Sequence, residues 1–558
     1  MNEVRRESES AVNAGEANHS ASPAVPATPP TSARALKQRQ NIVRGMFSSM
    51  VGTLLSRVLG AWRDIAISHS FGATTITDVF FVAQTVPAVF RRFIADEGLT
   101  GALIPALARE EEQVSARSAK HLSDIAFTAL LIAASLLTVA GIALSPQLVK
   151  LFGYGYVRKP EQFQLAVTLT QWMFPFVIMV SLVSFFEAVL NLRQHFFVPK
   201  LAPGLAAGVL GAFALWATGY FSLAAYALPV GVLVGGVLHL LICLPVTARL
   251  WGLPRFSLNF RHPQFIFLAK EMGKVAAIGL LAQINIMLLR SIATLLVEGS
   301  VTYYWYANRL VDLSTGMIAV GVGSALMPAI SNNVVNKDWD GFRSNLVFSI
   351  RLTSFMLLPT AAVFLSFSYP IVSMMFRHGE FTASDCRSTA LTTVCMVPFF
   401  LSMAGINIIK RAYFALDDRT CVLIVGAGGT VLTGVAGYVM STKMGVAGLA
   451  LALSLSTALQ FAAYLAWLPL RLNAGPLYTG LIKPLAKMIL ASAPTVAILA
   501  LAGRVGVWES GPAALQNWLV GLLGLALAAG AYGYTAHLMK LPELDKVLRR
   551  FRRKKTAR

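Results

Sequence analysis

The sequence has 558 residues, of which 56% are hydrophobic and 13% are charged. A soluble protein of this length would carry about twice that charged fraction, so the composition excludes an ordinary soluble protein and predicts an all-α polytopic membrane protein. The net charge of +21 would indicate nucleic acid in a soluble chain. Here most of the excess lies in loops and in the C-terminal tail, where cytoplasmic topology and anionic lipid explain it, and we predict no nucleic-acid partner.

The chain begins with residues 1–40, which are rich in Ser, Ala and Pro and are predicted to form a disordered cytoplasmic tail rather than a signal peptide. Apolar stretches long enough to cross a bilayer then predict about fourteen transmembrane helices. Their approximate limits are 42–69, 76–106, 122–144, 163–190, 199–219, 222–248, 268–296, 301–330, 346–368, 385–411, 420–441, 445–471, 483–503 and 515–537. Residues 539–558 form a basic tail that we expect to rest on anionic headgroups.

Loop charge predicts the orientation of these helices, and internal repeats predict how they are grouped. The even-numbered connections carry most of the Lys and Arg, which places both termini in the cytoplasm. ALIPAL at 102–107 recurs as ALMPAI at 325–330, and the Leu-Pro pair at 244–245 recurs at 468–469. These offsets predict two parallel-repeat lobes of six helices, as in transporters with a site between their halves. The expected divisions are an N-lobe (41–250), a C-lobe (251–475) and two extra helices (476–538).

Several of the predicted helices carry charges that a membrane disfavours. Each such cation costs about 2.5–3.5 kcal/mol at mid-bilayer depth, and these residues usually face a bundle interior or a wet cavity. Together they predict a cationic chamber and an anionic cargo. The residues are Arg57, Arg63 and Asp64 in the first span, Asp78, Arg91 and Arg92 in the second, and Arg309 in the eighth.

Motifs for catalysis or metal binding are lacking in this sequence. The four cysteines show no C-x-x-C spacing, the eight histidines show no H-E-x-x-H pattern, and no phosphate loop is present. We therefore predict no metal, no cofactor and no catalytic residue. A membrane enzyme such as a lipid-linked glycosyl or phosphate transferase is the alternative of a different class, but it would need a carboxylate pair, and the acids within the spans are scattered.

One long segment and several short ones carry a family resemblance. Residues 56–98, SRVLGAWRDIAISHSFGATTITDVFFVAQTVPAVFRRFIADEG, resemble the opening of the MurJ (MviN) lipid II flippases, in the multidrug/oligosaccharidyl-lipid/polysaccharide (MOP) exporter superfamily. Residues 191–205, 299–310, 375–385 and 411–420 are similar to further family segments. The resemblance implies a flippase of the inner membrane that moves lipid II, the undecaprenyl-pyrophosphate-linked peptidoglycan precursor, by alternating access, with the last two helices forming a groove for the lipid tail. It leaves open whether the cell wall synthesis machinery is also a partner.

The resemblance also implies site residues. Substrate-binding or gating roles fall on Ser56, Arg57, Arg63, Asp78, Arg91, Arg92 and Arg309. For Arg57 and Arg309 a structural ion pair or a carbonyl cap is the alternative. Further candidates are Asp64, Asp96, Glu97, Arg290, Asn308 and Asp312.

Arg290 departs from the family pattern. Either it faces the cavity and replaces a cation that relatives have where this chain has Thr85, or its side chain extends outward to the membrane surface.

The sequence does not indicate the driving force of transport, and another MOP exporter, such as a polysaccharide-lipid flippase, is the alternative function.

Overall fold

The computed structural model describes residues 32–92, 102–472 and 480–544; within them, the side chains of 32–47, 274–282, 315–325, 327–329 and 470–472 are not described. In these ranges all the regular elements are helices. Four are short 3-10 helices, at Tyr154–Arg158, Thr218–Tyr220, Ala224–Tyr226 and Trp508–Ala513, and the others are α-helices. They are α1 (Ser32–Phe71), α2 (Thr75–Arg91), α3 (Ile104–Gln113), α4 (Ala116–Ala143), α5 (Ser145–Phe152), α6 (Pro160–Met173), α7 (Pro175–Leu192), α8 (Phe197–Trp216), α9 (Ala227–Leu250), α10 (Pro263–Ala293), α11 (Ser300–Val335), α12 (Trp339–Phe376), α13 (Ala383–Cys395), α14 (Val397–Ala415), α15 (Arg419–Leu472), α16 (Ile482–Val505) and α17 (Leu515–Leu538).

The predicted spans are found in order, but three predictions of span limits are wrong, and so is one prediction about the N-terminal tail. The tail prediction fails over residues 32–40, which are helical because this Ala-, Leu-, Lys- and Arg-rich run continues directly into the first span. The predicted second span, 76–106, is divided: α2 ends at Arg91 and α3 begins at Ile104.

The other two differences come from prolines near helix starts. The predicted fourth span is divided into α6 and α7, since Pro175 begins a new helix. The predicted tenth span is divided into α13 and α14, which meet at a 41° bend. Proline has no backbone N–H to continue the preceding helix, so helices commonly begin at this residue.

A glycine marks the junction of the predicted eleventh and twelfth spans. Both lie within α15, and the backbone breaks between them at Gly445, with φ 58° and ψ −140°. Glycine adopts this left-handed conformation without the steric cost that a side chain would add. In the described part of the chain, eight helices are long and apolar enough to cross a membrane, or nine if the bent pair counts as one span. The total of fourteen crossings stays a prediction.

The helices pack in two groups, which we call the N-lobe (α1–α9) and the C-lobe (α10–α15). In the N-lobe, α8 packs against α1 and α9, and α7 packs against α4 and α9; in the C-lobe, α15 packs against α10 and α14, and α12 packs against α11, α13 and α14. Gly204 allows the close approach of α8 to α1, because a Cβ there would lie 2.4 Å from Ser56 Cα. The pair α16–α17 packs on α12, where Tyr532 donates a hydrogen bond to the Phe355 carbonyl.

Candidate functional site: a cationic cavity between the lobes

A cavity of about 690 Å³ lies between the lobes. Its walls come from α1, α2, α6, α7, α8 and α9 of the N-lobe and from α10 and α11 of the C-lobe. Two carboxylates, Glu187 and Asp312, face it together with His239. Arginines outnumber them in the described lining, so positive charge dominates the cavity. The arginines are Arg63, Arg91, Arg92, Arg290 and Arg309.

Asp64 lies at the centre of a charge cluster beside the cavity. It is 1% exposed, and its two oxygens serve different arginines. Arg63 Nε donates to Oδ1 at 2.9 Å, and Arg309 Nε donates to Oδ2 at 2.9 Å. Arg309 belongs to α11, so this pair joins the lobes. A buried carboxylate shared by two guanidinium groups leaves one positive charge in the cluster.

Gly60 makes room for this contact. A Cβ on Gly60 would lie 2.7 Å from Arg309 Nη2, well inside van der Waals distance. The small residue on α1 therefore lets the Arg309 side chain cross to Asp64, one turn further along the helix.

Two further hydrogen bonds cross between the lobes at the level of the cavity. Arg57 Nη1 donates to the Leu313 carbonyl at 2.9 Å, and Arg92 Nη1 donates to Gln283 Oε1 at 3.3 Å. Arg57 is not among the described residues that line the cavity. Its guanidinium instead caps a carbonyl of α11, which is the alternative given for this residue, and its substrate-binding or gating role stays a prediction.

Arg290 is buried, with 6% of its surface exposed, and it lines the cavity. Its guanidinium carbon lies 4.5 Å from the centroid of the Trp305 ring and 5.5 Å from that of Tyr304. Trp305 in turn stacks on Phe81 of α2, with 4.5 Å between ring centroids. Of the two predicted orientations, the structure therefore has the one toward the cavity. Thr85, one turn from Phe81 on α2, lines the cavity too.

Asp78 joins the lobes at the end of the bundle where α1 ends and α2 begins, which we call the Phe71 end. It is 6% exposed and accepts three hydrogen bonds from the start of α11: from Gly299 N at 2.8 Å, from Thr302 N at 2.8 Å and from Thr302 Oγ1 at 2.6 Å. Beside it, Thr75 Oγ1 donates to Glu298 Oε1 at 2.7 Å. A carboxylate with this many donors holds the two helices firmly together.

Backbone also meets backbone at the Phe71 end. Glu380 N donates to the His69 carbonyl at 3.0 Å. Gly72 and Gly379 have φ of 58° and 50°, and a Cβ on either would lie within 2.6 Å of a carbonyl oxygen of the opposite lobe. The His69 and His378 rings lie 6.4 Å apart. Burial lowers the pKa of His378 from its ordinary value of 6.5, and the nearby His69 lowers this pKa further.

The remaining predicted site residues lie at the cavity or outside the described part of the chain. Ser56 and Asn308 line the cavity, and Asn308 Nδ2 donates to Asp312 Oδ2 at 2.8 Å. Arg91 and Arg92 both line it as well. Asp96 and Glu97 lie outside the described residues. Among those that are described, no three His, Cys, Asp or Glu residues are grouped so as to hold a metal ion.

Some cavity residues were missed by the sequence analysis. Glu187 Oε1 lies 3.2 Å from His239 Nε2. Both are ionisable residues inside predicted spans, so the rule that marked the arginines would also have marked this pair. Trp305 and Gln283 gave no such signal, because an aromatic residue or a lone amide within a span is more often part of the packing.

Comparison with known proteins gives the family. The family described as "Lipid II flippase MurJ" matches residues 67–528, most of the chain. The chain belongs to the MurJ lipid II flippase family. A relative from Burkholderia cenocepacia, "Lipid II flippase MurJ", is 30% identical over 427 residues, which is 75% of this chain and 82% of the relative. One from Haemophilus influenzae, "Probable lipid II flippase MurJ", is 26% identical and matches 87% of this chain and 98% of the relative.

Solved structures confirm the predicted fold class for this family member. "Lipid II flippase MurJ, inward closed conformation" superposes with a TM-score of 0.71 at 20% identity, covering 87% of this chain and 98% of that chain. An inward-facing multidrug resistance MATE transporter of the MOP superfamily superposes with a TM-score of 0.62 at 15% identity, covering 76% and 98%. The MurJ family and the all-α polytopic fold class predicted from the sequence are thus confirmed.

Proposed function

We propose that this protein flips lipid II, the undecaprenyl-pyrophosphate-linked precursor of peptidoglycan, from the cytoplasmic to the outer leaflet of the inner membrane for cell wall synthesis. The observation that carries the proposal is the arginine-lined cavity between two lobes, in a chain that belongs to the lipid II flippase family. Guanidinium groups bind phosphate oxygens in a bidentate manner and keep their charge when buried. An arginine-rich cavity therefore suits the pyrophosphate of such a cargo.

Alternating access requires that each end of the bundle open in turn. With both termini in the cytoplasm, as the loop charges predict, the Phe71 end faces outward. That end is closed here by Asp78 with Gly299 and Thr302, and by Thr75 with Glu298. We infer that these hydrogen bonds break when the cargo leaves, and that Arg57 and Arg309 hold the lobes together at mid-depth until then.

The lipid tail needs a route outside the polar cavity. We propose that α16 and α17, which pack on the outside of α12, provide a groove where the tail stays in lipid. The division into an N-lobe (41–250), a C-lobe (251–475) and this pair (476–538) belongs to the same proposal. Anionic lipids would bind the basic residues of 539–558, and an interaction with the cell wall synthesis machinery remains a prediction.

Complementation tests the proposed function. The full chain is expressed in a strain depleted of its own lipid II flippase, and growth is followed after depletion. We expect growth to be restored, and we expect Arg387→Ala, which removes an exposed ion pair with Glu509 outside the cavity, to restore growth equally well. Failure of the chain to restore growth, although it is present in the membrane, would contradict the proposal and favour another lipid-linked cargo, such as a polysaccharide lipid.

A further inference from the structure

The arginines of the cavity differ in how their charge is balanced. Arg63 and Arg309 share the Asp64 carboxylate, and Arg92 donates to Gln283. In Arg290, two guanidinium nitrogens, Nε and Nη1, are buried and have no hydrogen-bond acceptor among the described residues. The neighbouring Trp305 Nε1 likewise has none there. Two adjacent side chains on the cavity wall thus carry buried N–H groups that have no hydrogen-bond acceptor among the described residues.

The residues around Arg290 hold its guanidinium in place but do not neutralise its positive charge. Its guanidinium lies against Trp305 and Tyr304, and such ring contacts attract a cation. A ring face, however, offers no lone pair for the N–H groups at the edge of the guanidinium. Asp78, an acid that acts on Arg290 electrostatically, already accepts three hydrogen bonds from Gly299 and Thr302. Arg290 therefore remains a buried cation whose Nε and Nη1 lack acceptors in the described part of the protein.

A buried charge without a partner is costly, and removing the polar partner of such a group is among the strongest destabilising changes in proteins. An anion that enters the cavity would supply the missing acceptors. We propose that Arg290 and Trp305 form a phosphate-binding subsite in the cavity wall, distinct from the Asp64 cluster, that binds one phosphate of a pyrophosphate-linked lipid. The proposal rests on the proposed function and deepens it.

The stack beneath Arg290 gives the proposal a second, independent test. Trp305 stacks on Phe81, and the Thr85 hydroxyl donates to the Phe81 carbonyl one turn away on the same helix. Thr85 and Arg290 both line the cavity. A lysine at position 85 would therefore bring a new cation to the wall that Arg290 occupies. Most of the effect of a single charge on an anion is Coulombic, so this cation should replace part of the lost attraction.

Equilibrium binding tests the subsite. The full chain is purified in detergent and titrated with lipid II, with native mass spectrometry as the readout and the Tm as a check on folding. Arg290→Ala should weaken binding roughly tenfold to a hundredfold, since it removes charge-assisted hydrogen bonds. Trp305→Phe, which keeps an aromatic ring but loses the indole N–H, should weaken binding less, and the exposed Arg387→Ala should leave it unchanged. Thr85→Lys combined with Arg290→Ala should recover at least part of the loss.

The outcomes separate this inference from the proposed function. If the unaltered chain does not bind lipid II, the proposed function fails. If it binds, and Arg290→Ala binds equally well, only the subsite is overturned. A double variant with Thr85→Lys that binds no better than Arg290→Ala would overturn it as well, because Arg290 would then act through packing on Trp305. Should Arg290→Ala not fold, Arg290→Gln, which keeps most of the side chain without its charge, gives the same comparison.

Discussion

Asp64 of α1 accepts a hydrogen bond from Arg309 of α11, with 2.9 Å between Oδ2 and Nε, and so joins two residues 245 positions apart in the sequence. The same carboxylate accepts a hydrogen bond from Arg63. This cluster both connects the lobes and keeps one net positive charge at the cavity. Asp64, a further candidate site residue in the sequence analysis, thus forms one of the links between the halves of the proposed transporter.

Alanine at Arg57 or at Arg309 should abolish complementation of a flippase-depleted strain. Arg57 holds the Leu313 carbonyl and Arg309 holds Asp64, so each variant removes a contact between the lobes, and Arg309→Ala also removes a cavity cation. The measurement is growth after depletion, with membrane levels determined by immunoblot. Normal growth with either variant would refute a substrate or gating role for that arginine.

Gly60→Ala should impair transport with little loss of stability. The new Cβ would lie 2.7 Å from Arg309 Nη2, and a flexible side chain can move away from it at small cost, but only by shifting relative to Asp64. We expect reduced growth in the complementation assay and a Tm close to that of the unaltered chain. Gly208→Ala on α8 is the matched control, since its Cβ would meet only Leu59 Cδ2, at an ordinary 3.7 Å. Equal growth of the two variants would argue against the importance of the Arg309 position.

A disulfide between α2 and the start of α11 should lock the Phe71 end. Thr75 and Glu298 contact each other through a hydrogen bond of 2.7 Å, so cysteines at both positions, in a chain without its four native cysteines, should crosslink on mild oxidation. Transport should stop and should recover on reduction, because rocking of the lobes requires this contact to open. Cysteines at Thr433 and Ser456, whose hydroxyls lie 2.7 Å apart within α15, provide the control: they should crosslink without stopping transport. Full transport with the Thr75–Glu298 link formed would reject the rocking mechanism.

Acidification should loosen the conformation described here through His378. Its pKa is lowered by burial and by His69, so the folded chain holds fewer protons at this site than the unfolded chain does. The contribution of this site to stability is therefore complete above about pH 6.5 and declines as the pH falls below that value. The Tm should drop more between pH 7.5 and 5.5 for the unaltered chain than for His378→Gln. An equal drop in both would show that His378 does not sense pH.

The sequence predicted well those features that depend on one helix alone, such as where a helix begins and ends. The length of the apolar runs predicted α8, α16 and α17 to within a few residues, and Gly445 lies at the predicted junction within α15. The divisions at Pro175 and near Met396 were missed, since apolar length alone does not register a bend within a continuous hydrophobic run.

Contacts between distant helices could not be predicted in the same way. Nothing in the local sequence pairs Asp64 with Arg309 or directs Arg57 to the Leu313 carbonyl. The orientation of Arg290 was open because α10 is apolar around most of its circumference, so that periodicity does not show which side faces the cavity. Trp305 became a candidate only when its stacking and its unsatisfied N–H were seen together.

The most direct test of the proposed flippase function is translocation of lipid II by the purified chain. Proteoliposomes are prepared with fluorescent lipid II, and the fraction accessible to an added quencher is followed over time. We predict that the full chain moves lipid II between leaflets faster than occurs in protein-free liposomes, and that Arg309→Ala abolishes this movement while Arg387→Ala preserves it. Translocation no faster than in protein-free liposomes, by a folded chain with a normal Tm, would contradict the account.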